Sequence, residues 1–444
     1  MSRNPFRKDT SIMLLFLFFL ICSLQTIRMY LSYRFLRQKI QKNKNSNGKK
    51  LFLLIPVFNE QTVIEDSVKH FSQFASNYIK IVYITTSREK SIHNFPTTKE
   101  LLEKMSKLYC FELINCPITK NAVMAHQLNY ALVQLQKQYG DDFIFGIYNV
   151  DSRITPDILQ DVQQRISRQR DKVIQQYTMY DLPSSGILSH ISLWQTRWAL
   201  HFELGRLLFD QYFFRKIYKL FPIFNIFRPF HYVIGHGLFM HFKTWLSISG
   251  FPQDEPNEDA FLGLMLHLNG FSLESIPKLE YAETAKNIKI YIKQQSVWYN
   301  GPLFAFRYLY RILKCQNNGR FKRTKIKEST AFALIGTIKL FSHAVYWLLG
   351  PLLIWFIIPI IYICNNEIYS LLFWLLLAIY HCFVLNLLAY EIIQKITPAF
   401  YKKAPGNLGT SIIAYMLHCI GPFYCLYKTI KRTNTIENKY KTEK

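Results

Sequence analysis

The stretch LFLLIPVFNE, residues 51–60, decides how this chain folds. Its apolar residues run without interruption until Asn59 and Glu60, which is the pattern of a strand buried on both faces. A strand of this kind needs a covering layer on each side of its sheet. The stretch therefore predicts an α/β domain with a mostly parallel sheet and helices on both faces.

The segments after this strand alternate between helical and strand patterns. Helices are predicted at residues 61–76, 98–108 and 121–138, and further strands at IKIVYITTS (79–87), CFELINC (110–116) and FIFGIYNVD (143–151). Alternation of this kind requires crossover connections, which produce parallel strands. Ligands bind such sheets beyond the carboxyl ends of the strands, where Asn59, Ser87 and Asp151 fall.

Charge and cysteine content narrow the class of protein. Lys and Arg number 54 against 29 Asp and Glu, in a chain of 444 residues. The excess lies beside apolar segments, where basic residues are retained on the cytoplasmic side, so a membrane surface explains it better than nucleic acid. The eight cysteines have neither CxxC spacing nor a secreted context, so we interpret them as reduced and structural.

Four apolar segments have the length needed to cross a bilayer as a helix. They lie at residues 11–29, 344–364, 368–390 and 410–427. A cleaved signal peptide is the rival interpretation of the first, but no small-residue cleavage pattern follows it. Basic residues are more numerous after this segment than before it, which places the next domain in the cytoplasm. Residues 331–341 include Lys339 and predict an interfacial helix instead.

The orientation of the C-terminus is left open by the same rule. Four spans from an outside N-terminus place the basic tail outside, although basic residues favour the cytoplasm. Either the number of spans differs by one, or residues 410–427 are re-entrant.

The aromatic and basic stretch at residues 191–230 also allows two interpretations, a membrane-interface segment or a helix pair packed on the sheet.

Four short motifs occur in a fixed order along the chain. They are IPVFNE (55–60), NVDS (149–152), NEDAFLG (257–263) and QQSVW (294–298). Each has an ordinary structural explanation when taken alone: NVD is typical of a turn, and NEDAFLG is typical of a capped helix with acids in its first turn. Their order and spacing carry the specificity.

Together the motifs resemble the membrane-integrated family-2 glycosyltransferases of the GT-A fold, which include cellulose, chitin and hyaluronan synthases, over residues 51–320. The resemblance implies a Rossmann-like cytoplasmic domain with transmembrane helices, and transfer of a sugar from a nucleotide donor to a hydroxyl. The predicted parts are a transmembrane helix and basic linker (1–48), the GT-A domain (49–325), an interfacial helix with about three transmembrane helices (326–432) and a basic tail (433–444).

The resemblance implies a donor site at the strand ends. Its members, matched motif by motif, are Pro56, Phe58, Glu60, Thr86, Asn149 and Asp151. Asp151 stands where the family binds a divalent metal, Mg or Mn, while Asn149 replaces the first acid of the usual DxD. Thr86 and Glu89 stand near the acidic motif that usually ends the second strand. Asn129 matches a family helix that helps to hold the donor.

The resemblance also implies a base and an acceptor site. Asp259 matches the catalytic acid of the family's TED motif, which accepts the proton of the acceptor hydroxyl. The implied acceptor residues are Gly237, Glu258, Gln294 and Trp298, and His236 either touches substrate or is packed. Val297 replaces the arginine of QxxRW and cannot hold a diphosphate. Arg153 either compensates for it or pairs with Asp157.

The leading hypothesis is an inverting glycosyltransferase that is a multi-pass protein of the plasma or inner membrane. It would use a nucleotide-sugar donor, first of all a UDP-sugar, and a glycan or lipid-linked acceptor. The alternative is a catalytically inactive, transferase-like membrane scaffold, because Asn149 and Val297 depart from the family pattern. A transporter is disfavoured, since the C-terminal spans contain few ionisable residues apart from His381.

Overall fold

The computed structural model describes residues 6–40, 49–89, 96–118, 123–181, 186–228, 230, 232–253, 255, 257–317, 330–398 and 407–431. Side chains are described over the same ranges except 6–15, 225–227 and 315–317. Most of the predicted basic linker (41–48) and all of the predicted basic tail (433–444) lie outside the described residues.

Seven strands form one mixed sheet, and two more pair as a small parallel ribbon. The strands are β1 Leu51–Pro56, β2 Ile79–Thr86, β3 Glu112–Cys116, β4 Ile144–Ile147, β5 Lys172–Gln175, β6 Thr178–Tyr180, β7 Leu238–His241, β8 Ser272–Ser275 and β9 Glu280–Ala282. The sheet order is β3-β2-β1-β4-β7-β5-β8, and the ribbon is β6-β9. Strands β1 to β4 are parallel, as are β5 and β8, whereas β7 is antiparallel to both of its neighbours. The predicted mostly parallel α/β sheet is confirmed.

Strand β1 lies in the middle of the parallel part, and all six of its residues are buried. Phe52 and Leu54 pack into the hydrophobic core on one face of the sheet. Leu51, Leu53 and Ile55 pack into the core on the other face. The alternation follows from the period of two along a strand, so the uninterrupted apolar run is explained by helices on both faces.

Helices surround the sheet and continue through the C-terminal third. They are α1 Phe6–Leu36, α2 Ile64–Ser72, α3 Thr98–Met105, α4 Met124–Tyr139, α5 Pro156–Arg168, α6 Ile187–Trp198, α7 Gly205–Phe209, α8 Arg215–Leu220, α9 Phe242–Ser247, α10 Glu258–Leu268, α11 Ile288–Leu303, α12 Ala305–Asn317, α13 Thr330–Leu352, α14 Ile358–Cys364, α15 Ile368–Ile379, α16 Leu385–Ile396 and α17 Leu408–Ile430. π-helical turns join several of them, at Ala199–Leu204, Asp210–Phe214, Leu353–Ile357 and Tyr380–Val384, and a 3-10 helix covers Pro222–Phe227.

Four helical runs among the described residues are long and apolar enough to cross a membrane. They are Phe16–Leu36, Thr330–Cys364, Ile368–Ile396 and Leu408–Ile430. These runs correspond to the four predicted segments, but the second is longer than predicted. Residues 331–341 do not form a separate helix, because they begin the 35-residue run Thr330–Cys364, and their predicted interfacial location stays a prediction.

The start of this long run packs on the α/β domain. Phe332, Ala333 and Leu340 are buried there. The Lys339 ammonium donates to the carbonyl oxygen of Arg228 at 3.0 Å. The charge that suggested a helix on the lipid surface is therefore accommodated by a protein contact.

The aromatic and basic stretch at residues 191–230 behaves differently in its two halves. Residues 189–197 of α6 are buried, in agreement with a helix packed on the domain. From Tyr212 to Phe224 the apolar side chains are instead exposed, with Leu220 at 74% and Ile223 at 79%. The interpretation as a packed helix thus describes the first half of the stretch, and a membrane-interface role of the second half stays a prediction.

Candidate active site

One cavity of about 410 Å³ opens beyond the carboxyl ends of β1, β2 and β4. It is lined by eight of the eleven residues predicted from the sequence: Pro56, Phe58, Asn149, Asp151, Glu258, Asp259, Gln294 and Trp298. The two aspartates, which are more than a hundred positions apart in the sequence, therefore line the same space. Their common cavity is the candidate active site.

Asp151 lies in a turn directly after β4 and is only 4% exposed. The Ser152 hydroxyl oxygen accepts from the Asn149 backbone N–H at 3.1 Å, and the Ser152 N–H donates to the Asn149 carbonyl at 3.1 Å. Asn149 and Ser152 thus close a tight turn, as the local pattern predicts. The same turn fixes the position of the Asp151 carboxylate at the cavity wall.

Asp259 lies in the first turn of α10. One of its carboxylate oxygens accepts from the Gly235 N–H at 3.2 Å, and the other accepts from the Ala260 N–H at 2.7 Å. A helix N-terminus and two backbone donors favour a negatively charged side chain at this point. The carboxylate is held in a defined position by both interactions.

The motif QQSVW on α11 is tied to the beginning of α10. The Asn257 side-chain amide donates to the carbonyl oxygen of Trp298 at 2.9 Å. A Cβ at Gly301 would lie 2.8 Å from the Ala260 Cβ and 2.8 Å from the Asn257 amide nitrogen. Only glycine permits so close an approach of the two helices, which places Trp298 beside the Asp259 turn.

Glu280 links the loops that hold the two aspartates. It is fully buried and accepts a hydrogen bond from the hydroxyl of Ser152, the residue after Asp151. Its other oxygen lies 2.9 Å from Nδ1 of His236, the residue after Gly235. One buried carboxylate therefore positions both sides of the cavity. His236 also lines the cavity, so its side chain is both packed and accessible to a ligand.

Three predicted residues, Glu60, Thr86 and Gly237, do not line the cavity. The Thr86 hydroxyl donates to the carbonyl of Ile118 at 2.9 Å, and Glu60 is buried. Gly237 has a φ of 63°, and a Cβ there would lie 2.5 Å from the Gln176 carbonyl oxygen, so the turn requires glycine. Direct ligand contacts of these three residues stay predictions.

Other residues suggested by the resemblance have structural partners instead. One oxygen of Glu89 accepts from the Thr98 N–H, the Thr98 hydroxyl and the Gln61 amide, each at 2.8 Å. The Asn129 side chain bonds the backbone N–H and C=O of Phe251 at 2.9 and 2.8 Å. Neither residue lines the cavity.

Arg153 also lies outside the cavity lining. Its guanidinium donates to the carbonyl of Ser152 at 3.0 Å, and the predicted partner Asp157 pairs with Lys278 instead. Arg153 therefore braces the turn of Asp151 and does not pair with Asp157, and its compensation for Val297 stays a prediction.

Arg88 is the functional candidate that the motifs missed. Among the cavity-lining residues it is the sole Arg or Lys, and its guanidinium lies 5.2 Å from the centre of the Phe58 ring. Arg88 follows β2, so its position at a strand end was the available signal. An arginine there can bind an anion that enters beside Phe58.

Aromatic side chains form the opposite wall of the cavity. The Trp347 ring stacks on His418 with centroids 4.7 Å apart, and Trp198 stacks on Phe202 at 4.2 Å. Trp347 and His418 belong to two of the four apolar runs that can cross a membrane. No sequence motif predicted this wall, because it forms only when helices that are distant in the sequence pack together.

Glu203 is one of five acidic residues that line the cavity and lies in the π-helical turn after α6. Burial is the main cause that raises its pKa from 4.5 to about 7, and the neighbouring Asp259 carboxylate contributes in the same direction. The charge of His236 and a hydrogen bond with Trp198 oppose the rise. π-helical turns are frequent at functional sites.

The raised pKa of Glu203 predicts a pH dependence of stability. The folded state holds the Glu203 proton more tightly than the unfolded state does. The resulting stabilisation of the folded state is complete below pH 4.5 and is lost as the pH rises to about 7. The melting temperature of wild type minus that of Glu203→Gln should decrease between these values. Melting curves in detergent measure this, with Glu103→Gln on the exposed face of α3 as the control. A difference that does not change with pH would contradict the assignment.

A divalent metal fits the cavity if the protein and the substrate both supply its ligands. Among the described residues no three Asp, Glu, His or Cys side chains are grouped to hold a metal. Mg²⁺ is commonly held by one or two carboxylates with waters and substrate phosphates. The buried Asp151 carboxylate at the cavity wall suits this arrangement.

Comparison with known proteins adds distant similarities. No family model matches the chain, and no curated protein matches it in sequence. The mannosyltransferase PcManGT from Pyrobaculum calidifontis, solved in complex with GDP-Man and Mn²⁺, is 13% identical and has a TM-score of 0.47, with 94% of this chain and 98% of that chain covered. S. aureus TarS 1–349 is 11% identical and has a TM-score of 0.40, with 87% and 92% covered. Similarities this distant do not define the chemistry of this chain.

Proposed function

We propose that the protein is a membrane-bound inverting glycosyltransferase with Asp259 as general base and Asp151 as metal ligand. The donor is a nucleoside-diphosphate sugar, first of all a UDP-sugar, and the acceptor is a glycan or a lipid-linked sugar at the cytoplasmic face. The observation that carries the proposal is the shared cavity of Asp151 and Asp259, with Arg88 at one side and an aromatic wall at the other.

The side of the cavity that holds Arg88 suits the donor. Pro56 ends β1, Phe58 follows it, and both can flank a nucleotide base. Arg88 over the Phe58 ring can bind the diphosphate. A guanidinium offers the planar donor pair that phosphate oxygens accept. Arg88 thus supplies the charge that Val297 cannot. A divalent metal held by Asp151 would neutralise the leaving diphosphate.

The aromatic side suits the acceptor. Trp298 and Trp198 offer faces on which a sugar ring can stack, and Trp298 is fixed beside the Asp259 turn by the Asn257 contact. A hydroxyl of the bound acceptor then attacks the anomeric carbon as the bond to the diphosphate breaks. Its proton passes to the Asp259 carboxylate, and the single displacement inverts the anomeric configuration.

The location of the aromatic wall supports an acceptor at the membrane. Trp347 and His418 close the cavity on the side formed by apolar runs that can cross a bilayer. An acceptor that is anchored in lipid, or that leaves along these helices, would reach Asp259 from this side. The nucleotide would enter at the strand ends of the α/β domain.

The proposal is tested with a panel of UDP- and GDP-sugars, Mg²⁺ or Mn²⁺, and the full chain purified in detergent. We expect one donor to be consumed in a metal-dependent reaction, with mass spectrometry showing an elongated product or the free sugar. Failure of every donor to bind by calorimetry would overturn the proposal.

The inactive-scaffold alternative has its own observation, since both Asn149 and Val297 line the cavity in place of charged residues. Tight metal-dependent donor binding without turnover, under conditions that include glycan and lipid-linked acceptors, would favour the scaffold. The same panel therefore separates the two functions.

A further inference from the structure

A second cavity of about 400 Å³ lies beside α8, between the aromatic stretch and the far edge of the sheet. Val233 separates it from the candidate active site, because this residue lines both cavities. We propose that this second cavity binds the phosphate headgroup of an anionic membrane lipid. The proposal does not depend on the glycosyltransferase function.

The charge of the cavity fits an anion. Its lining includes three cationic side chains, Arg215, Lys219 and Arg228, against one carboxylate, Asp210. Burial, together with the Asp210 carboxylate that its hydroxyl hydrogen-bonds, raises the pKa of Tyr218 to about 12. The carboxylate is thus engaged within the protein, and the Arg228 guanidinium donates to the carbonyl oxygen of His267 at 3.0 Å, so the lining has a net positive charge to which Arg215 and Lys219 contribute.

The rim of the cavity fits lipid chains. The exposed apolar side chains near it are Tyr212, Phe213, Phe214, Ile217, Leu220, Phe221, Ile223 and Phe224. In α8 these alternate with Arg215, Lys216 and Lys219. Aromatic and aliphatic side chains interleaved with basic ones are typical of segments that lie at the boundary of headgroups and acyl chains. A soluble anion has no acyl chains that could contact this apolar rim.

The depth of the cavity fits the headgroup layer. The Arg228 guanidinium lies 5.2 Å from the centre of the Phe332 ring, and its carbonyl accepts from Lys339 at 3.0 Å. Both partners belong to the first turns of the 35-residue run Thr330–Cys364. At 1.5 Å per residue this run is about 52 Å long, whereas the hydrocarbon layer is about 30 Å thick. Since the start of the run packs on the α/β domain, the cavity lies where the run meets the membrane surface.

Thermal unfolding of the full chain in detergent micelles tests the proposal, with phosphatidylglycerol, phosphatidylcholine or inorganic phosphate added. Phosphatidylglycerol should raise the melting temperature of the wild type, because a ligand that binds the folded state stabilises it. The shift in Arg215→Gln/Lys219→Gln should fall to less than about half, since two charge-assisted contacts are lost.

A matched pair of single variants controls for charge and folding. Lys219 lines the cavity, whereas Lys216, on the same helix, does not. Lys219→Gln should reduce the phosphatidylglycerol shift, and Lys216→Gln should leave it as in the wild type. Equal shifts in this pair, or in the wild type and the double variant, would overturn the proposal. An equal shift from phosphatidylcholine would also overturn it, because an anionic headgroup would then not be required, and so would an equal shift from inorganic phosphate, because the lipid would then not be required.

Discussion

Asp259→Asn is expected to lower the rate of sugar transfer by about 10²- to 10⁴-fold, the usual contribution of a general base. Asparagine has nearly the same shape and can still accept from one of the backbone donors that hold the carboxylate, namely the N–H groups of Gly235 and Ala260. It cannot take the proton of an attacking hydroxyl. The loss should appear in kcat, measured with labelled donor on purified protein, while the donor dissociation constant stays within about threefold of wild type, because this carboxylate is assigned to the acceptor side.

The matched control is Asp171→Asn, the same chemical change at an exposed position outside the cavity. It should transfer sugar at the wild-type rate. A wild-type rate in Asp259→Asn would remove Asp259 from the mechanism. A variant of Asp259 that also failed to bind donor would show that this residue acts on the donor rather than on the acceptor.

The sheet could be predicted from the sequence because its signals are local. The buried strands β1, β2 and β4 lie in largely apolar runs that end at polar residues, so their existence and their carboxyl ends can be located without knowing their neighbours. Strand β7 gave no such signal for its direction. It runs antiparallel because it pairs with β4 and β5, and this pairing depends on the whole topology.

The candidate site was predictable only where its residues follow strands or begin helices. Asp151 and Asp259 lie at such positions, and both line the cavity. The aromatic wall, by contrast, combines Trp198, Trp347 and His418 from three separate helices, and nothing local marks an aromatic residue as part of a wall. Arg88 lies between these cases, since its strand-end position was visible but its contact with Phe58 was not.

The continuity of the helix at residues 331–341 has a physical cause as well. A lysine in an apolar stretch suggests a helix at the water boundary when only lipid is considered. Here Lys339 reaches a backbone carbonyl of the α/β domain, so the helix continues without a break into the apolar run. Hydropathy cannot distinguish a charge placed against lipid from one placed against protein.

Asp151→Ala is expected to remove the metal-dependent part of donor binding and to abolish transfer. In the wild type, Mn²⁺ or Mg²⁺ should tighten donor binding, because a metal held by Asp151 would neutralise the charge of the diphosphate. Losing a charged contact costs about 1.5–3 kcal/mol, so the variant should bind donor more weakly by at least about tenfold when metal is present. Calorimetry with and without the metal measures this difference.

The two aspartate variants should therefore fail in opposite ways. Asp151→Ala should bind donor equally with and without metal, at an affinity set by the contacts of Phe58 and Arg88, whereas Asp259→Asn should keep the metal response and lose turnover. Asp141→Ala, an exposed carboxylate that bonds Gln136 outside the cavity, should behave as wild type in both assays. If Asp151→Ala retained the metal response, the metal would have to be held elsewhere. That result would contradict the donor side of the proposed site and leave only the base to be explained.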